Sequence, residues 1–152
     1  MYDKFFAEYS IVVAQVLLTK YVLLEDRRQH VVNSMERLLS QGVIPIVNEN
    51  DTVAIDELEL EVGENDSLAA NVATIANADL LVIMSDIDGL YDKDPHVHEN
   101  ANLIPEVGEI TDDIRSLAGG AGSALGTGGM ATKIKAVEIA HCLLYTSDAA
   151  DE

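Results

Sequence analysis

The amino-acid sequence predicts an α/β sandwich with a mainly parallel central sheet, and two observations predict it. Three nearly unbroken apolar runs of strand length occur along the chain, and stretches of helical period separate them. Ile11 to Leu18 (Ile-Val-Val-Ala-Gln-Val-Leu-Leu) is the first run. Apolar residues at both parities fit a strand covered on both faces, as in a parallel sheet. Gly42 to Asn48 and Asp79 to Asp86 read the same way. Between the first and second runs, Val31, Val32, Met35, Leu38 and Leu39 share a helical face; between the second and third, Leu68, Val72 and Ile75 do. The alternation βαβαβ implies right-handed crossovers.

The chain has 152 residues, 48% of them hydrophobic, enough to bury one core and too few for two ordinary domains. A net charge of −18 excludes nucleic acid and anionic membrane surfaces as partners, because phosphate would be repelled over most of the surface. No run reaches about 18 apolar residues, and the first residues lack the basic-then-apolar pattern of a signal peptide. An acidic cytoplasmic protein is expected. The single cysteine, Cys142, cannot form an internal disulfide. From Cys142 to Glu152 the text continues neither a helical nor a strand period and resembles the translation of a sequencing-library adapter. The expected division is therefore a partial domain over 1–141 and a non-native, adapter-derived tail over 142–152.

In an open α/β sheet, ligands bind beyond the carboxyl ends of the strands, so the strand exits are informative. The second run leads into Asn48-Glu49-Asn50-Asp51 and the third into Ser85-Asp86. Between them, Gly63-Glu64-Asn65-Asp66-Ser67 precedes a helix of Leu68 to Ala76, with Asp66 or Ser67 placed to cap it. Glu57, Glu59 and Glu61 alternate with Leu58, Leu60 and Val62, which predicts a half-exposed hairpin or edge strand and not an acidic metal site. From Gly119 to Gly129 the chain is dense in small residues; then Met130, Ile134, Val137 and His141 fall on one helical face.

The stretch Gly126-Thr127-Gly128-Gly129-Met130-Ala131-Thr132-Lys133 carries the most chemistry. Glycines allow close backbone approach, a helix N-terminus offers free N–H groups to an anion, and Lys133 adds a full positive charge one turn in. In so acidic a chain this points to polyphosphate. Gly126, Gly128 and Ala131 also match a dinucleotide fingerprint, but no strand leads directly into the loop, and the lysine does not follow a glycine as in a P-loop.

Four segments taken together, 42–51 (Gly-Val-Ile-Pro-Ile-Val-Asn-Glu-Asn-Asp), 63–70 (Gly-Glu-Asn-Asp-Ser-Leu-Ala-Ala), 85–95 (Ser-Asp-Ile-Asp-Gly-Leu-Tyr-Asp-Lys-Asp-Pro) and 125–133 (Leu-Gly-Thr-Gly-Gly-Met-Ala-Thr-Lys), resemble the glutamate 5-kinases in order and spacing. The resemblance covers roughly Tyr2 to Ala140. It implies an amino-acid-kinase-like αβα sandwich, truncated at its N-terminal side. It also implies transfer of the γ-phosphoryl group of ATP, with Mg²⁺, to the side-chain carboxylate of L-glutamate, the first step of proline synthesis. By the same resemblance Asp51 and Asn65 hold glutamate, and Asp66 orients catalytic lysines. Ser85 and Asp86 contact the nucleotide, the stretch Thr127, Gly128, Gly129, Met130, Ala131, Thr132 and Lys133 covers its phosphates, and Lys133 stabilises the transferring group. A homo-oligomer is implied for the whole protein.

The chain also departs from that family. None of Lys4, Lys20, Lys93, Lys133 and Lys135 has glycine two residues later, so the family's Lys-x-Gly phosphate loop is missing, and the fragment alone is expected to be inactive. Asp94-Pro95-His96 stands where Asp-Pro-Arg is common, and His96 and His98 read as an exposed loop pair, not a metal site. Alternatives are a sibling kinase for acetylglutamate or a nucleoside monophosphate, the kinase module of a bifunctional pyrroline-carboxylate synthase, and a nucleotide-binding module without transfer activity.

Overall fold

The computed structural model describes residues 2–19, 25–50, 65–118 and 129–148. In order these form α1 (Tyr2–Ala7), β1 (Val13–Leu18), α2 (Glu25–Ser40), β2 (Ile44–Glu49), α3 (Asn65–Ile75), α4 (Asp112–Ala118) and α5 (Met130–Asp148). β1 and β2 pair in parallel, from Val13 opposite Ile44 to Leu18 opposite Glu49, with α2 as the crossover. The first two expected strands and the two expected helices between the runs are therefore present. The expected hairpin of 57–62 lies outside the described residues.

One capping device recurs. Each of α1, α2 and α3 ends on a residue with left-handed backbone: Ser10 (φ 56°), Gly42 (φ 70°) and Asn77 (φ 50°). Behind each, the same two bonds close the last turn, as in Val43 N–H to Leu38 O (3.0 Å) with Gly42 N–H to Leu39 O (2.9 Å). Ala78 with Asn77 and Ile11 with Ser10 repeat the pattern onto Ala73 and Thr74, and onto Phe6 and Ala7. This is the Schellman arrangement, which satisfies orphan carbonyls and reverses the chain toward the next extended segment.

Two clusters form the core. In the first, Leu18, Val31, Met35, Leu68 and Ile75 are buried together, and Val16, Val32, Val47 and Val72 pack against them, joining both strands to α2 and α3. Leu39, expected on the same face of α2, is exposed. In the second, Ala70 of α3 meets Ala136 and Ala140 of α5, with Leu81, Ile83 and Ile139 around them.

Several expectations require correction. Residues 79–86 do not form a strand. Leu81 and Ile83 turn inward and Leu80, Val82 and Met84 outward, so the alternation of a strand is present, but no neighbouring chain among the described residues completes a ladder. α3 starts at Asn65, which puts Asp66 and Ser67 inside its first turn and not at its cap. α5 buries Ala136 and Ala140, with Met130 and Ile134 half-buried and Val137 and His141 exposed. Its backbone also continues as helix to Asp148, past the expected stop near His141.

Candidate active site

The site is built where α3 and α5 cross. Alanine at 70, 136 and 140 lets the two helices approach closely, since no side chain longer than a methyl separates them there. That approach decides what the first turns can reach. Asp66 in the first turn of α3 receives Lys133 Nζ at 3.1 Å and Thr132 Oγ1 at 2.9 Å, both on its Oδ2. A carboxylate in a helix's first turn is also favoured by the helix dipole.

Thr132 Oγ1 lies 2.7 Å from Gly129 O as well, so its single proton serves either the carboxylate or the carbonyl at one time. The Thr132 N–H also donates to Gly129 O, at 3.1 Å, which closes the first turn of α5 on the last glycine of the loop. The Lys133 and Asp66 side chains are 18% and 21% exposed, so the pair is shielded yet open to a ligand. Of the ammonium's three protons, one goes to Asp66, and the other two suit an anion.

The other expected residues fall in three groups. Gly129 and Met130 are half-buried at the start of α5, Ala131 there is exposed, and Asn65 is exposed as the first residue of α3, beside Asp66. Ser85 and Asp86 are exposed and bond to each other, Ser85 Oγ to Asp86 Oδ1 at 3.3 Å. They follow Leu81 and Ile83, which rest on the α3–α5 contact, and no bond joins them to Asp66 or Lys133. Asp51, Thr127 and Gly128 lie outside the described residues.

Sequence reasoning misses three polar arrangements. Ser67 is 4% exposed, and its hydroxyl has no partner among the described residues. On α3, Asn71 Nδ2 donates to Ser67 O (2.8 Å) and Thr74 Oγ1 to Asn71 O (2.7 Å), while Arg28 Nη2 of α2 reaches Thr74 Oγ1 (3.3 Å). Arg115 of α4 bonds Glu138 of α5 at 2.7 Å and Asp112 at 2.6 Å; those two carboxylates raise its pKa above the ordinary arginine value. The i, i+3 spacing of Asp112 and Arg115 is a legible signal; the link to Glu138 is not.

After the segment 79–86, the chain folds back through an antiparallel bridge between Tyr91 and Leu103. Asp92 clamps it, accepting from Asn102 Nδ2 (3.0 Å) and from Asn102 N–H (2.8 Å). Those bonds to Asn102, the side-chain one first, hold the Asp92 carboxyl below its ordinary value of 3.8. His96 and His98 are exposed, and no group of three histidine, cysteine or carboxylate side chains converges among the described residues. Among those residues, too, no helix is long and apolar enough to cross a membrane.

Comparison with known proteins gives a consistent result. Residues 1–141 match the profile of the amino acid kinase family. The chain is 54% identical over 143 residues to a glutamate 5-kinase of Clostridium perfringens (strain 13 / Type A), covering 92% of this chain and 53% of the relative. It is 52% identical over 140 residues to that of Clostridium acetobutylicum, covering 91% and 52%. For the glutamate 5-kinase of Carboxydothermus hydrogenoformans the figures are 52% over 141 residues, covering 92% and 37%. The chain thus spans about half the length, or less, of these curated relatives.

Proposed function

The chain belongs to the amino acid kinase family, and from that premise we propose that it carries the nucleotide-side machinery of an enzyme that phosphorylates the side-chain carboxylate of L-glutamate with ATP. The observation that carries this reading is the meeting of Lys133 and Thr132 with Asp66 across the α3–α5 contact. It puts one cation, held by a carboxylate, at the start of the helix that follows the glycine-rich stretch.

The chemistry asks for little more. A carboxylate oxygen of glutamate forms a bond to the γ-phosphorus, the bond from that phosphorus to the bridging oxygen breaks, and ADP leaves with the electron pair. The acceptor is already ionised at neutral pH, so no general base is needed. Asp66 therefore serves as the orienting partner of Lys133, and Lys133 offers its remaining N–H donors to the equatorial oxygens of the transferring group. Thr132, Gly129, Met130 and Ala131 line the start of α5 beside the phosphates, with Thr127 and Gly128 preceding them. Ser85 and Asp86 meet the nucleotide. Asn65 and Asp51 hold glutamate, a carboxylate being a natural partner for its ammonium group.

Mg²⁺ is the expected companion of ATP. It would bind chiefly through the phosphates of ATP, with few protein ligands. When bound, it neutralises charge on the phosphate oxygens. A cytoplasmic location and a homo-oligomeric whole protein complete the reading.

The test is a hybrid joining this chain to the unmatched portion of the Clostridium perfringens relative. ADP release is expected to depend on L-glutamate, with acetylglutamate and nucleoside monophosphates inert, and to collapse in Lys133→Met. ADP release indifferent to glutamate, or to that substitution, would overturn the reading. The 152-residue chain alone is expected to show no turnover above background; turnover at the hybrid's rate would remove the claim that the fragment is inactive.

A further inference from the structure

α5 carries Lys133 and Thr132 to Asp66, and its setting about its own axis decides whether they reach it. On the α3 side the contact is Ala70 against Ala136 and Ala140. Methyl groups bring the two backbones together, but they offer no long side chain to resist a turn of α5 about that axis. Such a turn matters. A roll of about 20° moves an atom about 6 Å from the helix axis by about 2 Å, enough to break the 3.1 Å bond from Lys133 Nζ to Asp66.

A second hold lies on the far side of α5. At about 100° per residue, Glu138 stands opposite the midpoint of Ala136 and Ala140, whereas Lys133 and Thr132 fall within about 60° of that midpoint. Glu138 Oε1 accepts from Arg115 Nε of α4 at 2.7 Å. α4 is a short helix opened by Thr111, whose Oγ1 accepts the Ile114 N–H at 3.4 Å, with Asp112 and Asp113 suiting the dipole of its first turn. It buries none of its residues; Ile114 and Ala118 are half-buried and the others exposed. Packing therefore contributes little to its attachment. Asp112 accepts from Arg115 Nη1 at 2.6 Å, one turn back on the same helix, which leaves the Nε edge of the guanidinium to α5.

We infer, on the reading of Lys133 as the charge-stabilising group, that Arg115 is a positioning residue for phosphoryl transfer: through Glu138 it holds α5 from the side opposite α3 and so keeps Lys133 on Asp66. An ion pair with side chains 51% and 36% exposed adds little to the stability of the chain. Its role is orientation, since removing it leaves both apolar clusters intact and releases the face of α5 that points away from α3.

The hybrid enzyme carries the test, in two measurements. The first needs no turnover: the rate at which an amine-reactive acylating reagent modifies each lysine, read by peptide mass spectrometry, reports how far Asp66 shields Lys133. Arg115→Met and Glu138→Gln are each expected to speed modification of Lys133 about threefold to fivefold, the scale of one exposed ion pair, and to leave that of Lys93 unchanged. The double variant gives the same factor and not its square, because both substitutions remove one interaction. The second measurement is kcat for ADP release dependent on L-glutamate, expected to fall by the same factor in each variant and not at all in the Lys133→Met background. Arg37→Met, exposed on α2, changes neither. Unaltered labelling of Lys133, a rise shared by Lys93, a multiplied effect in the double variant, or a kcat loss that persists in Lys133→Met would each overturn the proposal. A hybrid without glutamate-dependent turnover would defeat the catalytic reading and leave the labelling to decide what Arg115 holds.

Discussion

The α3–α5 contact and the β1–β2–α2 block solve different problems with different residues. Alanines make the first, and their shortness brings two helix starts together so that a lysine, a threonine and an aspartate meet. Leucine, isoleucine, valine and methionine make the second, with Met35 fully buried at its centre. Large side chains supply burial, whereas small ones supply proximity. The proposed chemistry sits where the side chains are shortest, because a ligand site needs backbones close and polar tips free.

The sharpest way to break this comparison is to remove the polar tip. Lys133→Met in the hybrid enzyme is expected to lower kcat about 10³-fold, near 4 kcal/mol, as for loss of a charge-stabilising donor. Equal loss from Lys93→Met, in the loop after residues 79–86, would show that Lys133 has no special place. Next in size is Met35→Ala, expected to cost about 2–5 kcal/mol in denaturant unfolding, while the affinity of the folded chain for a fluorescent ATP analogue stays the same. Ala136→Leu is expected to cost about 1–3 kcal/mol and, unlike Met35→Ala, to weaken nucleotide binding, because it forces Asp66 and Lys133 apart. If Met35→Ala weakened binding equally, the two regions would not be separable.

The same contrast explains what is legible in the sequence. β1, β2 and the burial of Val31, Met35, Leu68 and Ile75 can be read because large apolar residues at strand or helix period advertise a core. Ala70, Ala136 and Ala140 carry no such signal, although they make the α3–α5 contact. The segment 79–86 has the composition of a strand, but strand formation also needs a bonded neighbour, which composition does not report. Lys133, Asp66 and Thr132 are each legible from motif resemblance. That they share one carboxylate oxygen is not, because residues 66 and 133 meet only through tertiary packing.

A smaller effect tests the turns that feed both regions. Gly42 holds φ 70°, and a β-carbon added there would find nothing within 4 Å, so Gly42→Ala meets no clash and is expected to cost only the left-handed penalty, about 1–2 kcal/mol. Ser10→Gly and Asn77→Gly, at the equivalent turns of α1 and α3, are expected to stabilise the chain by relieving that penalty. Thermal unfolding of the three variants distinguishes this from a role of the side chains themselves.

The smallest expected effect lies outside both regions, in the clamp of Asp92 on Asn102. Hydrogen bonds to the carboxylate lower its pKa from 3.8, so around that value the unfolded chain binds more protons than the folded one. The clamp's contribution is therefore fully present above about pH 4 and is lost as pH falls through the folded pKa. Amide exchange at Asn102 is the direct measure, since its N–H donates to the carboxylate at 2.8 Å. Relative to its intrinsic rate, it is expected to stay protected above about pH 4 and to lose protection below. Asp92→Asn should flatten that dependence while leaving nucleotide affinity unchanged. A pH step that survived the substitution would place the titrating group elsewhere, and a change in affinity would join this loop to the α3–α5 site.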